Sequence, residues 1–135
     1  MQKFLISYFS LLISLLVIDL VWLMIIAKNM YRSDMGDLMA SEPRLGAALA
    51  FYLLYALGAT IFVVVPALTK QSWLHALQFG ALFGFFCYMT YDLTNLAIIR
   101  NFPEKLAYID IAWGALVTAI CCCLAYGITN WFDKS

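Results

Sequence analysis

The stretch Tyr88-Met89-Thr90-Tyr91-Asp92-Leu93-Thr94-Asn95 is the most polar patch inside a segment that otherwise reads as lipid-soluble, and its side chains could do chemistry. It interrupts a run that is otherwise apolar, with Phe79 to Cys87 before it and Leu96 to Ile99 after it. On a helix, Tyr88, Asp92 and Asn95 follow i, i+4, i+7 spacing and share one face. Two further aspartates stand in apolar runs, each followed three positions on by tryptophan: Asp19 with Trp22 and Asp110 with Trp113. Carboxyl groups held together away from water can divide labour, one protonated as an acid and its neighbour ionised as a base. Two or three of them can instead hold a hard divalent cation such as magnesium. Asp19, Asp92 and Asp110 are therefore the expected acid–base or cation-holding groups. Trp22, Tyr52, Tyr55, Tyr88, Asn95 and Trp113 are the expected binding groups around them.

Some chemistry is excluded by residue type. His75 is the sole histidine, so a multi-histidine di-iron site cannot be built. It falls near the start of a span, where an interfacial polar role suits it. No Ser–His or Cys–His pair stands at a depth that would make a nucleophilic triad. Of the four cysteines, Cys121, Cys122 and Cys123 are consecutive. On a helix they point about 100° apart and can neither bridge one another nor share a metal, so all four read as packing residues.

The elements that position these groups are apolar helices. The chain has 135 residues, 65% hydrophobic and 12% charged, against about 25% charged in ordinary globular domains. A soluble fold of this length could not hide that much apolar surface. The expected class is an all-α integral membrane protein, a single domain over 1–135. Net charge is zero, without a basic patch, which excludes a nucleic-acid surface. Spans are predicted at about 4–27, 45–68, 74–99 and 106–131, each long enough to cross a core of roughly 30 Å. The first run lacks an A-x-A cleavage site and is expected to remain as a helix. Residues 28–44 are hydrophilic. Tyr31, Met35, Leu38 and Met39 mark one stripe there, which fits an interfacial helix over 31–40 or a structured loop. Pro66 is expected to end or kink the second span. Gly80 and Gly84 permit close helix contact in the third, and Ser7, Ser10 and Ser14 can bond a neighbouring helix from the first.

Short connections predict an up-down-up-down bundle of four transmembrane helices. With the first and third loops on one side, Asp19, Tyr52, Tyr55, Asp92 and Asp110 all lie roughly 6–15 Å from that side, at about 1.5 Å per residue. Four helices thus deliver polar groups to one leaflet. An aspartate at the bilayer centre costs roughly 2.5–3.5 kcal/mol, which favours convergence inside the bundle over display to lipid. Carboxyl groups within about 10 Å of one another would repel by several kcal/mol at low dielectric, so a shared proton or a bound cation is expected among them. Lys28, Arg32, Arg44, Arg100 and Lys105 flank this side, and Lys3, Lys70 and Lys134 the other. That balance predicts a cytoplasmic site with both termini outside.

The Asp-x-x-Trp of the first span, Phe51-Tyr52-Leu53-Leu54-Tyr55 in the second, Thr90-Tyr91-Asp92-Leu93-Thr94-Asn95-Leu96 in the third and Asp110-x-x-Trp113-Gly114 in the fourth together resemble a bacterial family of predicted membrane proteins, domain of unknown function 2177. The likeness covers nearly the whole chain. It implies a multi-pass protein of the bacterial inner membrane, in a family whose members associate with lipid-modifying genes, and it supplies no reaction.

Three readings of function stay open on the sequence. In the first, the protein modifies membrane lipid, or assists an enzyme that does. In the second it is a small proton-coupled carrier, working as a homodimer, in which Asp19 exchanges proton and substrate within an aromatic cage of Trp22, Tyr52 and Tyr55. In the third it is a structural subunit whose polar face docks another membrane protein.

Overall fold

Four helical stretches make up the computed structural model, which describes residues 2–22, 24, 45–99 and 102–134. The expected interfacial helix over 31–40 lies outside the described residues. Helix α1 spans Gln2–Val21. Helix α2 is continuous but of mixed pitch, α-helical over Leu45–Ala59, π-helical over Thr60–Val64 and α-helical again over Val65–Lys70. Helix α3 spans Trp73–Ile98 and helix α4 spans Glu104–Lys134. Among the described residues there is no strand.

The buried residues of α1 are Ser7, Leu11, Leu15 and Asp19, one every fourth position and therefore one stripe. The opposite face carries Leu5, Phe9, Ile13 and Val17, all exposed. A helix apolar on its outer as well as its inner face belongs in lipid, where that outer face costs nothing to show. By length and apolarity three helices can cross a membrane, over Gln2–Val21, Gly46–Lys70 and Glu104–Phe132. Four spans were expected, and among the described residues α3 does not meet that measure. It is long enough, but His75, Gln78 and the polar string from Tyr88 to Asn95 dilute its apolarity.

Pro66 neither ends α2 nor breaks it. Proline lacks the N–H that would bond the carbonyl four residues back, and its ring crowds that carbonyl. The π-helical turn just before it opens the helix and absorbs both problems. The Val65 N–H reaches back to the Thr60 carbonyl, and the Thr60 hydroxyl donates to the Ala56 carbonyl at 2.7 Å. The helix then ends at Gln71, whose left-handed backbone (φ 50°) turns its N–H back to the Ala67 and Leu68 carbonyls. Ser72 caps α3 by accepting from the His75 backbone N–H at 3.1 Å, and the His75 ring stacks on Phe79.

Helix α4 packs along α3 more extensively than any other pair, and next along α1. Glycines allow the first of these contacts. A Cβ on Gly80 would stand 3.1 Å from the Ala119 Cα. One on Gly84 would run into the Gly114 carbonyl and the Thr118 side chain, and one on Gly114 would enter the Tyr88 ring. Leu11, Leu15, Ala56, Ala59, Val63, Val117, Cys121 and Ala125 fill the centre.

At the end of the bundle near the N-terminus, Ser7 and Thr129 bond each other at 2.8 Å, both fully buried. The Tyr8 hydroxyl donates to the Leu53 carbonyl at 3.0 Å. Thr129→Val should destabilise the bundle by about 1 kcal/mol, because the Ser7 hydroxyl then lacks its partner. Adding Ser7→Ala should return most of that loss. Unfolding in mixed dodecyl sulfate and maltoside micelles checks both variants.

Candidate functional site

The polar side chains singled out in the sequence gather toward the other end of the bundle. Asp19 lies near the end of α1, Tyr52 and Tyr55 in the first half of α2, Tyr88 and Asp92 in the second half of α3, and Asp110 and Trp113 near the start of α4. Between them is a cavity of about 540 Å³. Asp19, Trp22, Tyr52 and Trp113 line one part of its wall, with Tyr55, Tyr88, Tyr91 and Asp110 on another. Ala47, Ala48, Phe51 and Cys87 complete it. Two alanines on α2 leave room there that larger side chains would fill.

Asp19 is buried and fully engaged. Its Oδ2 accepts from the Tyr52 hydroxyl, and its Oδ1 accepts from the Trp113 indole Nε1–H at 3.0 Å. One carboxylate thereby ties α1 to α2 and to α4. The Trp113 ring in turn stacks on Trp22, with centroids 4.2 Å apart and planes 10° from parallel. The Asp-x-x-Trp echo on two helices thus becomes one contact: the tryptophan of each helix meets that of the other, and one of them holds the aspartate of α1. Tyr55 bonds the Thr118 hydroxyl at 2.6 Å and meets the Tyr88 ring edge-on at 6.0 Å.

Asp92 sits apart from this network. It is 1% exposed and faces α4 rather than the open cavity. Its carboxyl comes within hydrogen-bonding reach of the Asp110 carboxyl, which lies on the cavity wall. The Asp92 Oδ2 atom is buried without a partner among the described residues. Two carboxyl groups in contact require a proton or a cation between them. Sequence spacing pointed to Asn95 and Tyr88 as the partners of Asp92. Instead, Asn95 lies within hydrogen-bonding reach of Tyr91 one turn back, and Tyr88 packs against Tyr55 and Gly114. Among the described residues no group of three or more His, Cys, Asp or Glu side chains is placed to hold a metal ion. Asp19 belongs to one cluster and the Asp92–Asp110 pair to another, with the cavity joining them.

Thr118 and Thr129 were not anticipated. Threonines inside apolar helices usually bond their own backbone, as Thr60 and Thr90 do here. Only the spacing of Gly114 and Thr118, one turn apart on the face that meets α3, sets Thr118 apart. Cys121 and Cys122 are buried in the core, as packing residues should be, whereas Cys87 reaches the cavity wall.

No curated protein and no solved structure matches the chain. Its family does not depend on either: the sequence pattern of the predicted membrane proteins DUF2177 matches residues 4–127, which include every side chain of the cavity wall, and the chain belongs to that family.

Proposed function

We propose that this protein is lipid-directed. An amphiphile enters the aromatic cavity from one leaflet, and the Asp92–Asp110 pair exchanges a proton with it. The observation that carries this reading is the position of the pair. Asp110 stands on the cavity wall, within reach of a ligand, and Asp92 stands behind it, shielded from one. A proton held between two such groups leaves one an acid and the other a base, the arrangement general acid–base chemistry uses. A cavity of about 540 Å³ is of the size that holds a small ligand or a headgroup with the start of its chains.

Helix α3 completes the membrane domain as a fourth span. Its buried residues Ala76, Gly80, Gly84 and Asp92 turn toward the bundle. Leu82, Phe86 and Leu93 turn outward. A helix that keeps its carboxyl group inside can cross lipid although its mean apolarity is modest. The carrier reading asks Asp19 to take up and release substrate. Tyr52 and Trp113 donate to its two oxygens, which ties the residue to α2 and α4 and disfavours proton exchange there.

Lipid profiles of cells lacking the protein test the proposal, after complementation with the wild type, Asp92→Asn or Asp110→Asn at matched protein levels. The wild type should restore the profile and neither variant should. Restoration by both variants removes the pair from the chemistry. A profile unchanged by the deletion removes lipid as the substrate.

A further inference from the structure

Asp19 is 7% exposed, and both donors that satisfy it, the Tyr52 hydroxyl and the Trp113 indole, are neutral. Buried charges are ordinarily paired, because taking an ion out of water without a counter-charge costs several kcal/mol. The wall around Asp19 is aromatic: Trp22, Phe51, Tyr52, Tyr55 and Trp113. Ring faces attract cations, most strongly where water is excluded. The Trp22–Trp113 stack adds a wide double face, and the buried Trp22 Nε1–H has no partner among the described residues.

We infer that the cavity recognises an organic cation, an alkylated ammonium group, with Asp19 as its counter-charge and the stacked tryptophans as its platform. This deepens the reading of the cavity as a ligand site and does not depend on the chemistry of the Asp92–Asp110 pair. An oxygen acceptor a few bonds from the ammonium would also satisfy the Trp22 N–H. Such a group occurs both as a free solute and as a phospholipid headgroup.

The test uses the full-length protein in a neutral maltoside micelle. Choline is titrated against its uncharged isostere 3,3-dimethylbutan-1-ol by calorimetry. Retention of phosphatidylcholine, phosphatidylglycerol and diacylglycerol is compared by native mass spectrometry. A preference of roughly tenfold or more for the charged member is expected in at least one arm. Preference among the free ligands identifies a solute site, and preference for phosphatidylcholine over diacylglycerol identifies a headgroup site. Asp19→Asn should abolish the preference for the charged member. Tyr52→Phe, which keeps the charge, should retain the preference. If Asp19→Asn does not yield folded protein, the wild-type comparison and Tyr52→Phe still decide. Equal binding of charged and neutral ligands, a preference for phosphatidylglycerol, or full selectivity in Asp19→Asn overturns the inference. Retained diacylglycerol without charge preference would leave the cavity reading standing, whereas failure of every ligand to bind would remove both.

Discussion

Gly84→Ala is expected to loosen the α3–α4 pair by about 1–3 kcal/mol, the usual cost of overpacking a filled interface, and toward the upper end here. The reason lies in what the new methyl group would meet. At Gly84 it would strike the Gly114 carbonyl, which is backbone, as well as the Thr118 side chain. Backbone cannot rotate away, so the helices must separate, and their separation would open the most extensive helix contact among the described residues. Gly114→Ala should act differently. Its methyl group would strike the Tyr88 ring, and a ring on the cavity wall can be pushed into the cavity. Gly114→Ala should therefore lose ligand binding in excess of its loss of stability, and Gly84→Ala stability in excess of binding. The two positions touch, so the double variant should cost less than the sum of the singles. Unfolding in mixed micelles, set beside ligand titration, separates the two effects. Equal stability in wild type and Gly84→Ala would mean that the helices do not approach as closely as these glycines permit.

The depth of the polar groups was legible in the sequence because helix geometry is rigid. With 1.5 Å of rise per residue, counting from a span's end places Asp19, Tyr52, Asp92 and Asp110 near one end of the bundle before any packing is known. Their partners were not legible, because partnership depends on how helices rotate against one another. Asp92, Asn95 and Tyr88 do share a side of α3, yet Asp92 finds Asp110 on α4. The Asp19–Tyr52–Trp113 set joins residues from three helices, and no spacing within one helix encodes it. Pro66 was expected to end or kink the second span; the helix does not end at Pro66, for a local reason. Proline's effect was judged against an α-helix, whereas the chain had a π-helical turn available that tolerates it. Four spans were expected, and among the described residues α3 is the helix that falls short of the measure of length and apolarity. In a multi-pass inner-membrane protein of the DUF2177 family, the helix that carries the polar string is the one whose composition least resembles a span.

Stripping both donors from Asp19 should be the most destabilising change to the polar groups of the site. Tyr52→Phe and Trp113→Phe each leave one carboxylate oxygen without its bond in a site that is 7% exposed. Each single variant should cost about 1–3 kcal/mol, the range for an unsatisfied buried acceptor. Together they leave a buried carboxylate with neither bond, for which roughly 3–5 kcal/mol is the expected loss. Trp113→Phe also shrinks the stack on Trp22, so part of its cost will be apolar and independent of Asp19. A triple variant tells these contributions apart. Asp19→Leu added to the Tyr52→Phe, Trp113→Phe pair removes the stranded charge and offers apolar contact instead, and it should recover stability relative to the double variant. The residue left unrecovered measures the lost tryptophan stacking. If the triple variant is no more stable than the double, the carboxylate was not the origin of the loss, and Tyr52 and Trp113 act through packing alone. Unfolding midpoints of the wild type, the two single variants, the double and the triple in one micelle composition are sufficient to decide.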